Sequence, residues 1–297
     1  MVPQPAGRGE FVSRCGAWWK QVSGEAGRCR ALTKGGFQVP TLSVVIPALN
    51  EAENMPAVLE SIPLAALREA GWETDVIVVD NASTDDTAAV AGSLGARVVV
   101  QPDRGYGNAY HAGFDAARGE VIATGDADCT YPFDRLPELL GTLVERDIEF
   151  MTTDRLHRDN RSAMKASHTL ANHALSALSR ALFRNGLRDS QSGMWIFRRH
   201  VWHGIDVRST GMSFSQEIKN SATRAGYRFL EVPIEYRRRQ GEVKLRALPD
   251  GMGNLRQLFA HRFRRPAPRL RPVVPLPRQR TVAEGAGECG NGRAEAV

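Results

Sequence analysis

TLSVVIPALN, residues 41–50, is a continuous apolar run, rich in β-branched side chains, that meets a proline and then an asparagine. Such a run reads as a buried strand entering a loop. The next segments alternate. ENMPAVLESI (53–62) has helical spacing, and TDVIVVDNASTDDT (74–87) is a second buried strand that ends in polar residues. DTAAVAGSLG (86–95) reads as a helix closed by Gly95, ARVVVQP (96–102) as a third strand, and GNAYHAGFDAARG (107–119) as a helix closed by Gly119. EVIATGDAD (120–128) is the fourth strand. Strand and helix in alternation predict an α/β fold with a mostly parallel sheet and helices on its faces.

Open sheets of this type bind ligands at the carboxyl ends of their strands, which is where Asn50, Asp80, Asp126 and Asp128 fall. On a strand, side chains two apart share a face, so Asp126 and Asp128 project together while Ala127 turns away. Carboxylates that close repel unless a cation lies between them. Hard divalent ions such as Mg²⁺ or Mn²⁺ take carboxylate oxygens and often phosphate oxygens as well. A solvated turn at a strand end is the competing reading of the same three residues.

After residue 133 the pattern is less regular. DRLPELLGTLVER (134–146) and ANHALSALSRALF (171–183) are helical, while IEFMTTDR (148–155), SGMWIFRR (192–199) and RFLEVPIEYRRR (228–239) read as strands. The organisation expected is a flexible arm over 1–40, one domain over 41–265, and a Pro/Arg-rich extended tail over 266–297.

The 297 residues, 42% hydrophobic and 24% charged, suffice for a substantial core. Cys15, Cys29, Cys129 and Cys289 are widely spaced, which suggests neither a disulfide framework nor a zinc site and makes a reducing cytoplasm the expected compartment. No apolar run approaches the roughly 20 residues of a spanning helix. Eight arginines and no acid occur between residues 251 and 283; they exceed the formal net charge of +6, so the rest of the chain is slightly acidic. No specific nucleic-acid site is expected from a basicity confined to one tail. NLRQLFAHRF (254–263) sets Leu255, Leu258, Phe259 and Phe263 at helical spacing beside arginines, readable as a core-packed helix or as one lying on an anionic membrane surface.

Eight motifs in fixed order carry a resemblance: VVIPALNEAEN (44–54), VIVVDNASTDDT (76–87), RGYGNAYHAG (104–113), DADCTYP (126–132), DSQSG (189–193), FSQEI (214–218), EVPIEY (231–236) and RQGEVKL (239–245). Together they resemble the inverting family 2 glycosyltransferases, nearest to the dolichol- and polyprenyl-phosphate sugar synthases. The resemblance implies the nucleotide-sugar variant of a Rossmann-like sheet, called GT-A, a nucleotide-diphosphate sugar donor, and Mg²⁺ or Mn²⁺ held by Asp126 and Asp128.

By the same match, Pro47, Leu49, Asn50 and Glu51 line the nucleoside pocket, Asp80 accepts a hydrogen bond from the base, and Asn81 and Ser83 lie beside it. Ala127 lies between the metal carboxylates. Gly107, with Gly105, precedes a helix N-terminus, readable as an anion site or as a plain turn. Thr130 stands where the family often has Gln, Asn81 where it often has a second acid, and Val243 where it prefers Ser. Arg239 and Lys244 match the basic loop over the diphosphate, and Arg155 matches an arginine for the acceptor phosphate, with Arg161, Lys165 and Ser167 downstream.

A phosphate acceptor is largely ionised at neutral pH and attacks without a dedicated base. A hydroxyl acceptor needs a carboxylate to take its proton, and Asp189 and Glu217 are the candidates. Three readings follow: transfer to a polyprenyl phosphate by a cytoplasmic enzyme peripheral to the membrane, transfer to a soluble acceptor, and a non-catalytic nucleotide-sugar binder. A sugar-phosphate nucleotidyltransferase fits less well, since no glycine-rich basic loop follows the first strand.

Overall fold

The computed structural model describes residues 39–157, 160, 164, 166–239 and 247–264. The expected arm up to residue 38, the tail beyond 264, and Arg161, Lys165 and Lys244 lie outside the described residues.

Seven strands form one mixed, mostly parallel sheet in the order β3-β2-β1-β4-β6-β5-β7. They are β1 (Thr41–Ala48), β2 (Glu73–Asp80), β3 (Arg97–Val100), β4 (Val121–Thr124), β5 (Phe150–Asp154), β6 (Trp195–Arg198) and β7 (Phe229–Pro233). β1 pairs in parallel with β2 on one side and β4 on the other, so the order reverses about β1. A crevice opens at the carboxyl ends of strands where such a reversal occurs. β6 runs antiparallel to both β4 and β5.

The nine α-helices of the described residues are α1 (Met55–Glu60), α2 (Leu64–Glu69), α3 (Thr87–Ser93), α4 (Tyr106–Ala116), α5 (Leu136–Glu145), α6 (Ala166–Phe183), α7 (Arg199–His203), α8 (Phe214–Arg224) and α9 (Ala247–Phe263). β1 shows why they sit on both faces. Leu42, Val44 and Ile46 join one core with Leu136, Leu139, Leu140 and Leu143, whereas Val45 joins Tyr110, Phe114 and Phe214 in the other. Each such buried side chain contributes about 1.5–3 kcal/mol relative to exposure. Gly95 closes α3 as expected, at φ 86°. Gly119 acts differently: α4 has already ended at Ala116, and a Cβ at Gly119 would lie 2.7 Å from the Leu42 carbonyl carbon.

α8 sets Phe214, Ile218 and Ala222 at helical spacing in the core, yet most of its other buried residues are polar. Ser215, Gln216, Glu217, Lys219, Asn220 and Ser221 are all buried in it, so its polar side chains face protein on every side. Most of their hydrogen bonds are met internally, since an unpaired buried polar group costs about 1–3 kcal/mol; among the described residues Asn220 Nδ2 is an exception. Lys219 illustrates how: its Nζ donates to the carbonyls of Asp189 and Ser192, both at 2.9 Å.

Candidate active site

β4 stops at Thr124, and Asp126, Ala127 and Asp128 follow in a turn where Cys129 takes φ 62°. The expectation that strand pleating aims both carboxylates is therefore corrected; a turn at the carboxyl edge of the sheet brings them together. Burial, then the neighbouring Asp128 charge, pushes the Asp126 carboxyl up to about 7, against the lowering effect of a Tyr106 hydroxyl that donates to its Oδ1 at 2.9 Å. Asp128 is 4% exposed. Its Oδ1 accepts from the Thr130 amide at 3.2 Å and the Thr130 hydroxyl at 2.6 Å, so Thr130 fixes this carboxylate.

The other Asp128 oxygen, Oδ2, lies 3.3 Å from Arg239 Nη1, and Arg239 Nη2 lies 3.9 Å from Glu51 Oε1. Arg239 thus spans β1's loop and β4's loop. Among the described residues its Nε is buried without a hydrogen-bond partner. Two crowded carboxylates beside an arginine with an unused donor fit a hard divalent ion carrying an anionic ligand. Among the described residues no group of three or more His, Cys, Asp or Glu gathers into a closed metal site. Asp126 and Asp128 would leave the remaining positions of such an ion to water and phosphate oxygens.

The loops after β1 and β2 brace each other. The Asn50 amide donates to the Ser83 hydroxyl at 3.0 Å, and Asn50 Oδ1 accepts from the Thr84 amide at 2.7 Å. Glu51 is buried, with its amide on the Thr87 hydroxyl and its Oε2 taking Asn54 Nδ2 at 2.6 Å. Pro47 and Leu49 are half-buried beside them, and Asp80 Oδ1 accepts from the Ser83 amide at 3.3 Å. Burial would raise Asp85, but hydrogen bonds from Thr87 and the Ala52 amide outweigh it and hold the carboxyl below its ordinary range.

Asn81 and the glycines have internal partners. Asn81 Oδ1 takes the Gly105 amide at 2.7 Å, and its Nδ2 donates to the carbonyls of Asp103 and Gln101. The Asn108 amide goes to the Thr210 carbonyl at 3.1 Å. A Cβ on Gly107 would lie 2.8 Å from the Thr210 carbonyl carbon. The glycines therefore admit residues 209 and 210 against the chain, and the anion-cradle reading gives way to close backbone packing.

The two candidate bases are both engaged. Asp189 is 0% exposed and accepts from Arg155 Nε at 2.7 Å, Arg155 Nη2 at 3.1 Å, the Arg155 amide at 3.1 Å and the Gln191 amide at 3.0 Å. Four donors fill a carboxylate's four lone-pair sites. Burial would raise its pKa, yet Arg155 outweighs that and holds Asp189 below the usual carboxylate range. Glu217 is 1% exposed, with Arg264 Nη2 on Oε1 at 2.5 Å and the Ser209 amide on Oε2 at 2.8 Å, joined there by the Ser209 hydroxyl. Asp189 thus has no lone pair left for an acceptor's proton, and Glu217, buried with three donors on its two oxygens, is committed to Arg264 and Ser209; both engagements speak against the expectation of a general base. Arg155 also stacks over Tyr236 at 5.3 Å. Ser167 is exposed on α6.

Sequence reasoning missed Tyr106, Tyr131 and Lys219. The Tyr131 hydroxyl accepts from the Gly193 amide at 2.6 Å, tying the 189–193 loop to the turn that carries Asp128. For the two tyrosines the available signal was an aromatic residue inside the RGYGNA and DADCTYP motifs; Lys219 had none.

A mostly parallel sheet with paired carboxylates at its carboxyl edge defines the class, a GT-A glycosyltransferase. The structure resembles mannosyl-3-phosphoglycerate synthase from Rubrobacter xylanophilus at TM-score 0.62 and 22% identity, over 83% of this chain and 76% of that one. It also resembles glucosyl-3-phosphoglycerate synthase from Mycobacterium tuberculosis, solved in complex with UDP, at TM-score 0.61 and 22% identity, over 78% and 87%. Residues 43–204 match the model of glycosyl transferase family 2, and the chain belongs to that family.

Among curated relatives, the low-salt glycan biosynthesis hexosyltransferase Agl6 of Haloferax volcanii is 38% identical over 225 residues, 75% of this chain; the match spans about half, 54%, of that relative's length. The dolichyl-phosphate hexose transferase of the same organism is 34% identical, over 69% of this chain and 86% of the relative. The undecaprenyl-phosphate mannosyltransferase of Micrococcus luteus is 31% identical, over 68% and 86%.

Proposed function

We propose that this glycosyltransferase moves a sugar, with inversion, from a nucleotide-diphosphate donor to a polyprenyl phosphate. The observation that carries the choice of acceptor is the engagement of Asp189 and Glu217 by Arg155, Arg264 and Ser209. A hydroxyl acceptor needs a base, whereas a phosphate arrives already ionised. Similarity to a dolichyl-phosphate and an undecaprenyl-phosphate transferase supports the same acceptor class.

In this reading Asn50, Glu51, Asp80 and Ser83 bound the nucleoside pocket, and Asp126 and Asp128 hold Mg²⁺ or Mn²⁺ against the diphosphate. When bound, that ion neutralises charge developing on the departing diphosphate. Arg239 aims its donors at the same charge, with Lys244 assigned to it by sequence. Arg155, whose Nε and Nη2 are held by Asp189, presents Nη1 to the acceptor phosphate. The test is a panel of UDP- and GDP-sugars with Mn²⁺ or Mg²⁺, with and without short polyprenyl phosphates. Product on the lipid phosphate is expected, and product only on soluble alcohols refutes the assignment.

α9 supports attachment to an anionic membrane face. Asn254, Leu258 and His261 turn inward, while Met252, Arg256, Phe259 and Phe263 form an exposed stripe, Phe263 at 77%. Among the described residues no helix is long and apolar enough to cross a membrane. Converting both Phe259 and Phe263 to Glu is expected to lower partition onto phosphatidylglycerol vesicles by at least about tenfold, read by flotation, with unchanged melting.

A further inference from the structure

Glu217 and Arg264 lie away from the paired carboxylates, yet a continuous series of close contacts joins them to Asp126. Arg264 Nη2 donates to Glu217 Oε1 at 2.5 Å and to the Asp206 carbonyl at 2.8 Å. Glu217 Oε2 holds the amide and hydroxyl of Ser209. The next residue, Thr210, accepts from the Asn108 amide at 3.1 Å. Between the two glycines that press against residues 209 and 210 stands Tyr106, and its hydroxyl reaches Asp126 Oδ1 at 2.9 Å.

We infer that Glu217 and Arg264 are positioning residues: they clasp the 206–210 loop into a seat for the glycine turn, which sets Tyr106 and through it the orientation of Asp126. This rests on the reading of Asp126 as a metal-holding carboxylate. The glycines leave the seat no slack. A Cβ on Gly105 or Gly107 would overlap a carbonyl oxygen of Thr210 or Ser209, so a displacement of the loop is passed to Tyr106 and not absorbed. Tyr106 has a second partner, Tyr110, whose hydroxyl lies 3.4 Å away and whose ring packs 4.9 Å from its own. The tyrosine therefore moves with its helix as a unit. Outer groups that orient a ligand typically change metal affinity by 10–100-fold when removed.

The experiment is calorimetric titration of Mn²⁺ into the protein with UDP, and separately GDP, so that no turnover is needed. Tyr106→Phe is expected to weaken Mn²⁺ binding by about tenfold and Arg264→Met by about three- to tenfold. The double variant should match Tyr106→Phe alone within twofold, because both changes act through one route; independent effects would multiply. Ser209→Ala is the milder variant if Arg264→Met fails to fold, with an expected loss of about threefold. Arg208→Met, on the same loop but exposed and, among the described residues, hydrogen-bonded to Asp206, is the control and should bind as the parent does.

Unchanged Mn²⁺ affinity in Arg264→Met, or in Ser209→Ala if only that variant folds, overturns the inference, as does a multiplicative double variant. A parent protein with no Mn²⁺-dependent nucleotide binding overturns the metal-site reading itself, and this inference with it.

Discussion

Asp126→Asn is expected to lower sugar transfer by roughly 10²–10³-fold, the scale for loss of one preorganised charge-stabilising group, and at the same time to raise the melting temperature of the metal-free protein. The two effects share a cause. The native carboxyl keeps its proton up to about pH 7 because burial and Asp128 disfavour its charge, whereas in the unfolded chain it ionises near the ordinary value. Between those values the native state binds more protons than the unfolded one, so metal-free stability falls as pH rises through that window. The amide removes this penalty. Its stabilising effect should be larger at pH 8 than at pH 4, read by thermal melts in chelator. In the unsubstituted protein Mn²⁺ must displace that proton, and its affinity should drop about tenfold per pH unit below 7. Full turnover in Asp126→Asn, or a pH-independent Mn²⁺ affinity, would refute the assignment.

Asp189→Ala should be the most destabilising single change in the site. It leaves the buried Arg155 guanidinium, the Arg155 amide and the Gln191 amide without their acceptor, and unpairing a buried ion pair costs about 3–5 kcal/mol. In a domain of this size that corresponds to a fall of about 10 °C in melting temperature. Asp189→Asn keeps an acceptor oxygen and should fall less. Replacing Arg155 and Asp189 together by leucine is expected to recover much of the stability while sugar transfer stays lost, because the guanidinium proposed to hold the acceptor phosphate goes with the pair. Were Asp189 a general base instead, Asp189→Asn would abolish transfer at unchanged stability. Melting and turnover measured on the same preparations separate the two.

The sheet was legible because its strands are short apolar runs with polar ends, a signal contained in each segment. β1, β3 and β4 lie within the stretches that periodicity marked and β2 begins one residue before its own, and the reversal of order about β1 places their loops around one crevice. The paired acids were also legible, though for an inexact reason. A spacing of two suggested a strand face, and the chain makes a turn instead, with Cys129 in the left-handed region. α8 was not legible. Apart from Phe214, Ile218 and Ala222 its buried residues are polar, and their partners in other segments make that burial tolerable.

The roles of the remaining charged side chains were open for the same reason. Asp189 and Glu217 have the composition of bases, and nothing local distinguishes a base from a buried ion-pair partner. Asp189 meets an arginine 34 residues away, and Glu217 one 47 residues away.

Sequence by itself determined the α/β alternation, the family and the carboxyl-edge location of Asp126 and Asp128, because periodicity and motif order are properties of neighbouring residues. Only the tertiary structure decided that Asp189 and Glu217 are held by arginines, that the glycines seat a loop, and that Tyr106 supports Asp126. A polar side chain's chemistry depends on which distant donors fill its lone pairs, and that is fixed only when the chain closes on itself.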